Sequence, residues 1–487
     1  MSVAPEHHAL PGDLPELHLF IDGQWLAGDG RKTEPVLNPA TEEVLGELPH
    51  ATPADLDRAL AAAQAAFAGW RALAPVRRGQ VLRDAAALMR ERSADLARIA
   101  TLESGKPVQQ TRIEVEMSAQ IFEWYAEEGR RAYGRVLPRQ APGTRMTVVK
   151  EPVGPVAAFA PWNFPLGNPA RKLGAPLAAG CPCILKPAEE TPASALGIAR
   201  ALAEAGVPDG VVNIVFGVPA EVSSQLIASP VIRKISFTGS IAVGKQLMKL
   251  AAEGMKRTTM ELGGHGPVIV CEDVDLEKVL DMCVAAKYRN CGQVCVSPTR
   301  FLVHESLYKA FVEGFARRAG ALKIGNGLDE STQVGPLIHA RRLADVTAFV
   351  EDARAAGATI NAGGERIEGR GYFYRPTVVS SAPLGARIMN EEPFGPIAII
   401  NPFANLDEAI AEANRLPYGL AAFGFSKSAS VTRALGDRLE AGMVGINTFQ
   451  ISVPESPFGG IKESGHGSEE GVEGLEACLV TRFISEA

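Results

Sequence analysis

The segment VVKEPVGPVAAFAP, residues 148 to 161, is a short apolar run bordered by proline and glycine, and four similar runs follow it before residue 265. The four are PCILKP (182–187), VVNIVFG (211–217), KISFTG (234–239) and TMELGG (259–264). Between them lie segments with helical spacing at 192–206, 219–228 and 242–254. Apolar strands that alternate with helices are typical of a parallel sheet covered on both faces. This stretch therefore predicts an α/β lobe.

A second alternating set begins near residue 267 and predicts a second α/β lobe. Its strand-like runs are PVIVC, RFLVH, PIAIINPF, AAFGFS and GMVGIN, with long helices expected at 275–289, 305–322 and 340–356. The N-terminal part differs, because three strand-like runs, LHLFIDGQW, EPVLN and EVLGELP, precede helical patterns at 53–70, 75–104 and 109–133. A chain of 487 residues is too long for one core, so two or three lobes are expected.

The composition excludes several classes of partner. A net charge of −7 gives no electrostatic footprint for nucleic acid or an anionic membrane. The N-terminal stretch MSVAPEHHALPGDLPELHLF lacks the cationic start and apolar run of a secretory signal, and no stretch reaches the ~20 apolar residues that span a bilayer. We expect a soluble cytoplasmic protein whose partners are small molecules and copies of itself.

The seven cysteines are too few and odd in number for a disulfide framework, so reduced thiols are expected. Cys181 with Cys183, and Cys291 with Cys295, are closely spaced. Structural zinc sites need four Cys or His ligands, however, and only the isolated His304 lies near any of these pairs. No metal site is predicted.

Two strand ends carry residues suited to a dinucleotide. In FTGSIAVGK (237–245) a β-run ends at Phe237, then Thr238, Gly239 and Ser240 form a turn, and a helix begins, an arrangement that favours phosphate binding at a helix N-terminus. In CPCILKPAEETP (181–192), Lys186 and Glu189 could hold ribose hydroxyls. Both features also have plain alternatives, since any strand-to-helix turn can use glycine, and a Lys–Glu pair at a strand end is often a solvated ion pair.

Two other strand ends carry residues suited to catalysis. Glu261, in MELGGHGP (260–267), is flanked by apolar residues and should have a raised pKa, as a base acting near neutral pH requires. Asn163 lies in PWNFP (161–165), whose prolines restrain the backbone, so its carboxamide could donate to an oxyanion. An exposed glutamate and a turn asparagine are the alternatives.

Taken together, these motifs resemble a known family. The set PWNFP, KPAEETP, FTGS, MELGG, GQVC, EEPFGP and PFGGIKESG, in that order, closely resembles the NAD(P)-dependent aldehyde dehydrogenase superfamily, with Glu261 lying 34 residues before Cys295. The resemblance implies two Rossmann-like α/β lobes and a small β oligomerisation arm. It assigns residues 1–133 and 153–261 to NAD binding, 262–458 to catalysis, and 134–152 and 459–487 to the arm and C-terminal segment. It also implies a homodimer or homotetramer.

The resemblance identifies the nucleophile in YRNCGQVCVSPTR (288–300) as Cys295, because Cys295 follows Gly-Gln-Val. A thiolate adds reversibly to an aldehyde, and the thioester that follows is activated towards water. Cys291 is expected to pack; a protective disulfide with Cys295 under oxidation is the alternative. The implied catalytic residues are Cys295, Glu261 and Asn163.

The same resemblance implies the cofactor contacts Trp162, Lys186, Glu189, Gly239, Ser240, Glu392 and Phe394. Glu189 should favour NAD over NADP, since a carboxylate near the adenosine ribose accepts from free hydroxyls and repels a 2′-phosphate. Ile241 departs from the family by replacing a more usual polar residue, which removes one minor phosphate contact.

The substrate prediction depends on two arginines and a serine. Arg171 lies eight residues after Asn163, and Arg289, six residues before Cys295, is expected on the helix that leads to the nucleophile. Both, with Ser452, match the residues by which succinate-semialdehyde dehydrogenases hold the far carboxylate. Succinate semialdehyde is therefore the expected substrate, with glutarate semialdehyde, 2-oxoglutarate semialdehyde or an aromatic aldehyde carrying a keto or carboxyl group as alternatives. Solvated or acid-paired arginines would instead indicate a general aldehyde dehydrogenase.

Relatives of the same fold carry out other reactions. Acyl-phosphate reductases and CoA-acylating dehydrogenases lack the hydrolytic glutamate or use it differently, so Glu261 argues against both. A catalytically silent binding protein would tolerate loss of Cys295, Asn163 or Glu261, and all three are present.

Overall fold

A computed structural model describes residues 14–487. Most of the N-terminal stretch interpreted above as lacking a secretory signal, residues 1–13, lies outside the described residues. Over residues 14–487 there is no helix both long and apolar enough to cross a membrane.

The first lobe is built on an eight-stranded sheet. Five neighbouring strands are parallel, and antiparallel strands close both edges. The order across the sheet is Gly465–His466, Arg257–Leu262, Lys234–Gly239, Val156–Phe159, Cys183–Lys186, Val212–Ile214, Leu19–Ile21 and Gln24–Leu26. Because most of these strands are covered on both faces, they are continuously buried, as the apolar runs in the sequence predict.

The second lobe is built on a seven-stranded sheet, parallel except for one edge strand. The order is Thr359–Ala362, Thr377–Ser380, Ile397–Phe403, Pro298–His304, Gly266–Val270, Ala421–Phe425 and Met443–Ile446. These two helix-covered sheets confirm the predicted α/β class with two Rossmann-like lobes.

The helices largely follow the sequence pattern, with two differences. The pattern at 75–104 is two helices, because Arg92 leaves the helical conformation (φ −96°, ψ 18°). The bend keeps the second helix packed against its neighbours Val108–Glu128 and Pro192–Glu204. The pattern at 109–133 ends as an α-helix at Glu128. The helices are Pro53–Ala72, Pro75–Glu91, Ser93–Ser104, Val108–Glu128, Gly167–Ala179, Pro192–Glu204, Pro219–Ala228, Ile241–Glu253, Leu276–Tyr288, Glu305–Gly320, Ala340–Ala355, Arg387–Asn390, Leu406–Asn414, Ala429–Arg438 and Gly471–Glu476.

Two smaller sheets complete the fold. Thr33–Leu37 and Val44–Pro49 form a hairpin. Arg145–Pro152 lies between Arg135–Leu137 and Leu479–Glu486 in a three-stranded antiparallel sheet. The C-terminal segment 459–487, which was expected with the arm, is therefore divided. Its last strand, Leu479–Glu486, lies in this three-stranded sheet, whereas Gly465–His466 pairs with the sheet of the first lobe.

Candidate active site

The loop that carries Cys295 connects the helix Leu276–Tyr288 to the strand Pro298–His304. The helix ends at Tyr288 because Asn290 and Cys291 have left-handed backbone conformations (φ 48° and 54°). Gly292 (φ 71°) lies so close to the neighbouring EEPFGP loop that a Cβ atom there would be 2.1 Å from the carbonyl oxygen of Gly395. Arg289 is thus not on a helix that continues to Cys295, and that expectation was wrong.

The two cysteines of this loop lie in different surroundings. Cys291 is buried in the hydrophobic core of the second lobe, and burial raises the pKa of its thiol to about 12. Cys295 is half-buried and lines a cavity of about 310 Å³. Only Cys295 is therefore placed to meet a ligand; the oxidative disulfide between the two stays a prediction.

This cavity, which we call the catalytic cavity, collects residues from both lobes. It lies where the carboxyl ends of strands Val156–Phe159, Lys234–Gly239 and Arg257–Leu262 face the Cys295 loop. The predicted site residues that line it are Trp162, Asn163, Gly239, Ser240, Glu261, Cys295, Glu392 and Phe394.

Glu261 and Cys295 are neighbours in the catalytic cavity. Burial raises the pKa of Glu261 to about 7, with the nearby Glu469 adding to the rise while Lys172 opposes it. Oε1 of Glu261 is buried and has no hydrogen-bond partner within the part of the chain that the structure describes. Burial, and then the Glu261 carboxylate, raise the pKa of Cys295 well above its usual value. The pair thus consists of a thiol and a neighbouring group that can take its proton near neutral pH.

The side-chain amide of Asn163 is held by its neighbours. Its Oδ1 accepts a hydrogen bond of 3.1 Å from Nδ2 of Asn168, and its Nδ2 donates to the carbonyl oxygen of Gln293 at 3.3 Å. Asn290 donates to the backbone carbonyl of Asn163 at 2.9 Å. Since an amide nitrogen carries two hydrogens, one N–H remains for a ligand beside Cys295. This arrangement suits an oxyanion donor.

Glu392 and Phe394 come from the loop before strand Ile397–Phe403. Burial raises the pKa of Glu392 to about 8, opposed by the backbone N–H of Gly264, which donates to its Oε1 at 3.3 Å. Phe394 has a left-handed backbone (φ 40°), and its ring lies edge-on to that of Trp162 with the centroids 5.6 Å apart. Two aromatic faces and a carboxyl group therefore border the cavity wall opposite Glu261's strand.

Lys186 and Glu189 lie outside the residues that line the catalytic cavity. They form an ion pair, with Lys186 Nζ 2.5 Å from Glu189 Oε1, and the backbone N–H of Gly217 donates to the same oxygen at 3.3 Å. An ion pair is thus present, but Lys186 is buried, so it is not the solvated pair named as the plain alternative. Ser240 is exposed and caps the helix Ile241–Glu253 by accepting from the N–H of Val243 at 3.4 Å.

These residues fit a dinucleotide. The helix N-terminus at Ser240 is exposed and offers unpaired N–H groups to a phosphate. A Cβ atom on Gly263 would lie 2.4 Å from Glu392 Oε2, so the glycine leaves room for that carboxyl group. His339, Arg341 and Arg342 also line the cavity and were not predicted from sequence. In the sequence they are marked only as a cluster of basic residues where the helix Ala340–Ala355 begins.

A second cavity, of about 390 Å³, lies next to the nucleophile and is called the tunnel cavity here. Val294 and Val296, on either side of Cys295, line it together with Arg289 and Ser452. Arg289 is exposed, which is the solvated alternative named above for this arginine, although packing around its guanidinium lowers its pKa against the opposing effect of Cys295. Among residues 14–487, no carboxylate lies within ion-pair distance of Arg289. The predicted residues Arg289 and Ser452 are thus brought together.

Arg171 contacts Ser452 but is also paired with an acid, the alternative named above for this arginine, and the residue that supplies the acid was not foreseen from sequence. Its Nη2 donates to Ser452 Oγ at 3.0 Å, and its Nε donates to Glu470 Oε1 at 2.8 Å. The next residue, Lys172, pairs with Glu469, the residue before Glu470. The signal was available in the adjacent acids of SEEG (468–471), but nothing in the sequence shows that they face Arg171 and Lys172.

Within the described residues there is no cluster of three or more His, Cys, Asp or Glu side chains that could hold a metal ion.

Comparison with known proteins gives consistent matches over nearly the whole chain. The profile of the Aldehyde dehydrogenase family matches residues 25–484. The 4-(hydroxymethyl)benzenesulfonate dehydrogenase TsaD1 of Comamonas testosteroni is 49% identical over 96% of this chain and 97% of its own. The NADP-dependent succinate-semialdehyde dehydrogenase GabD of Escherichia coli is 41% identical over 96% of each chain. The crystal structure of succinate-semialdehyde dehydrogenase from Burkholderia pseudomallei superposes with a TM-score of 0.95 at 42% identity, covering 98% of this chain and 99% of that one.

Proposed function

Because the chain belongs to the aldehyde dehydrogenase family, we propose that it oxidises an aldehyde with an anionic group at its far end to the carboxylic acid, using NAD. Succinate semialdehyde, giving succinate, is the first candidate. The observation that supports the anionic group most strongly is Arg289, a guanidinium without an acidic partner in the described chain, beside the nucleophile in the tunnel cavity.

The residues divide the chemistry as follows. Glu261 takes the proton of the Cys295 thiol, and the thiolate sulfur adds to the aldehyde carbon to give a thiohemiacetal. The free N–H of Asn163 and the backbone N–H of Cys295 hold the oxyanion. Collapse of the oxyanion expels a hydride and leaves a thioester on Cys295; a bound NAD would supply the hydride acceptor. Glu261 releases to solvent the proton that it took from the thiol and then removes a proton from water. The resulting hydroxide adds to the thioester carbon, and the Cys295 thiolate leaves as the acid forms.

The cofactor contacts are proposed for Trp162, Gly239, Ser240, Glu392 and Phe394 in the catalytic cavity. Lys186 and Glu189 are proposed to hold the adenosine ribose at the next strand ends. Glu189 would then disfavour a 2′-phosphate, although its ion pair with Lys186 weakens that repulsion. We expect kcat/KM with NAD to exceed that with NADP by about tenfold. A value for NADP equal to or above that for NAD would overturn the NAD assignment; the E. coli relative is itself NADP-dependent.

A second candidate substrate class is an aromatic aldehyde that carries an anionic group. The tunnel cavity is lined by Phe423 and Phe449, whose ring centroids are 4.7 Å apart, and by Met282 and Ile451. Such a wall suits a flat ring, and 49% identity to an enzyme named for a benzenesulfonate points the same way. Arg289 can receive a sulfonate or a carboxylate alike.

The lobes and the quaternary state are proposed as the resemblance implies. Residues up to 133 and 153–261 would bind the cofactor, 262–458 would carry catalysis, and the three-stranded sheet would be the oligomerisation arm. Val136 and Phe483, in the two edge strands of that sheet, are 73% and 56% exposed, which favours pairing with another subunit. Light scattering should show a dimer or tetramer; a stable monomer at micromolar concentration would contradict the proposal.

The direct test of the reaction is NADH formation with an aldehyde panel. The panel contains succinate semialdehyde, glutarate semialdehyde, 4-sulfobenzaldehyde, benzaldehyde and butanal. Wild type should reduce NAD with the anionic members, and Cys295→Ala should not. The proposal fails if wild type reduces NAD with none of the aldehydes, or if Cys295→Ala retains the activity.

A further inference from the structure

Arg171 is fully enclosed by groups of this chain. It lies on the helix Gly167–Ala179 with its side chain 6% exposed, and its guanidinium carbon is 4.1 Å from the centroid of the Phe458 ring. A buried guanidinium is stable only with a compensating charge or a full set of acceptors. Glu470 supplies that charge through the 2.8 Å hydrogen bond from Nε, and its influence keeps the pKa of Arg171 raised despite the opposing effect of burial.

Glu470 occupies an unfavourable backbone position to make this pair. Its φ is +60° and its ψ is 179°, a conformation that suits glycine and is costly for a residue with a side chain. Its side chain is only 1% exposed, and Ser452 Oγ donates to Oε2 at 3.4 Å. A strained, buried carboxylate that contacts both Arg171 and Ser452 indicates a role in what those two residues recognise.

The two arginines therefore differ in whether a neighbouring acid compensates their charge. The Arg171–Glu470 pair has no net charge, whereas Arg289 has no acidic partner among the residues that the structure describes. A carboxylate that replaced the 3.0 Å hydrogen bond between Arg171 and Ser452 would also meet the like charge of Glu470, which disfavours it. An uncharged acceptor, such as a carbonyl or hydroxyl oxygen, would not meet this repulsion.

We propose that Glu470 is a specificity-determining residue that neutralises Arg171, so that Arg289 alone holds the anionic group of the substrate. The inference rests on the proposed function and refines it. The preferred substrate is an aldehyde with one anionic group directed at Arg289 and an uncharged segment at Arg171. An aldehyde whose single anionic group must contact both arginines binds less tightly than it would if Arg171 had no acidic partner.

The test uses Glu470→Gln, which keeps an oxygen to accept from Arg171 but removes the charge. In this variant the ratio of kcat/KM for succinate semialdehyde to that for butanal should rise by about tenfold over wild type. Glu470→Gly is a second variant, in which the φ of +60° is favourable. Glu476→Gln, an exposed glutamate on the same short helix, is the matched control and should leave the ratio unchanged.

Rescue distinguishes this role from a structural one. In Arg289→Met, the ratio of kcat/KM for succinate semialdehyde to that for butanal should fall close to one. In the double variant Arg289→Met with Glu470→Gln the ratio should rise again by about tenfold, because Arg171 then acts as an uncompensated cation. The inference is overturned if Glu470→Gln and Glu470→Gly leave the ratio unchanged or lower it, or if the double variant shows no rescue.

A titration with succinate tests the role of Glu470 independently of whether the enzyme turns over an aldehyde. Calorimetry of wild type and Glu470→Gln measures binding of the dianion without turnover, and the variant should bind succinate about tenfold more tightly. Equal affinities would contradict the role of Glu470. Absence of NADH formation by wild type with every aldehyde would contradict the proposed function instead.

Discussion

Asn168 donates a hydrogen bond of 3.1 Å to Oδ1 of Asn163, and this contact directs the amide nitrogen of Asn163 towards the catalytic cavity. Both side chains are buried, so water does not readily replace the bond. Asn168 is thus a positioning residue for the proposed oxyanion donor.

Asn168→Asp should lower kcat more than Asn168→Ala does, because a carboxylate repels Oδ1 of Asn163 and favours the flipped amide. We expect losses of about 100-fold and 10-fold, respectively, with little change in the KM for NAD. Steady-state kinetics of both variants beside Asn163→Ala would check this. Parallel losses in kcat and in NAD binding would show a general disturbance of the site instead.

Gly263→Ala should weaken cofactor binding. A Cβ atom at this position would lie 2.4 Å from Glu392 Oε2, so Glu392 must move away from the place where we propose that it meets the nicotinamide ribose. The Kd for NAD, from quenching of tryptophan fluorescence, should rise about tenfold. Gly385→Ala is the control, because a Cβ atom there meets nothing within 4 Å. Equal Kd values in the two variants would argue against Glu392 as a cofactor contact.

Activity should rise with pH through the pKa of Glu261, which burial raises to about 7. The carboxylate is the basic form, so its fraction, and with it the rate of thioester hydrolysis, increases from about pH 6 to pH 8. Glu261→Gln should reduce steady-state kcat by about 100-fold or more. If a pH–rate profile of wild type is flat across this range, Glu261 is not the base that limits turnover.

A buried ion pair fixes the helix that carries Asn168 and Arg171. Glu114 Oε1 accepts from the backbone N–H groups of Leu166 and Gly167 at 2.9 and 3.0 Å, and its other oxygen pairs with Lys106; both side chains are 2% exposed. Glu114→Ala should cost about 3–5 kcal/mol of unfolding free energy, because it leaves a buried cation unpaired.

Glu116→Ala, on the same helix, is the control for that variant. Glu116 is 47% exposed and pairs with Arg90, so its loss should cost about 0–1 kcal/mol. Thermal unfolding followed by circular dichroism would compare the two. Similar shifts in Tm would mean that the Glu114 pair contributes no more than a surface pair.

The strand positions and strand-end residues were predictable because both depend on local pattern. Apolar runs identify buried parallel strands, and polar residues after them meet at one edge of the sheet, which brings Asn163, Gly239 and Glu261 into one cavity. Their common location therefore follows from sequence once the sheet is assumed.

Features that depend on distant contacts were not predictable. The helix before Cys295 ends at Tyr288, where the left-handed backbones of Asn290 and Cys291 follow, and the next residue, Gly292, packs on Gly395, which is remote in sequence. Glu470 lies 299 residues from Arg171, and its positive φ gives no sequence signal in a residue that is not glycine. Arg171, expected from sequence to hold the substrate together with Arg289, is consequently paired with an acid that the sequence did not reveal.

We propose that Cys295 is the nucleophile in the oxidation of an aldehyde whose anionic end is held by Arg289. The most direct measurement is the ratio of kcat/KM for succinate semialdehyde to that for butanal, in wild type and in Arg289→Met. We expect a ratio of about ten or more in wild type. In Arg289→Met the ratio should fall close to one, because the charge-assisted hydrogen bonds to the anionic group are lost. A wild type that prefers butanal, or a variant that loses activity equally with both aldehydes, would contradict it and indicate a general aldehyde dehydrogenase.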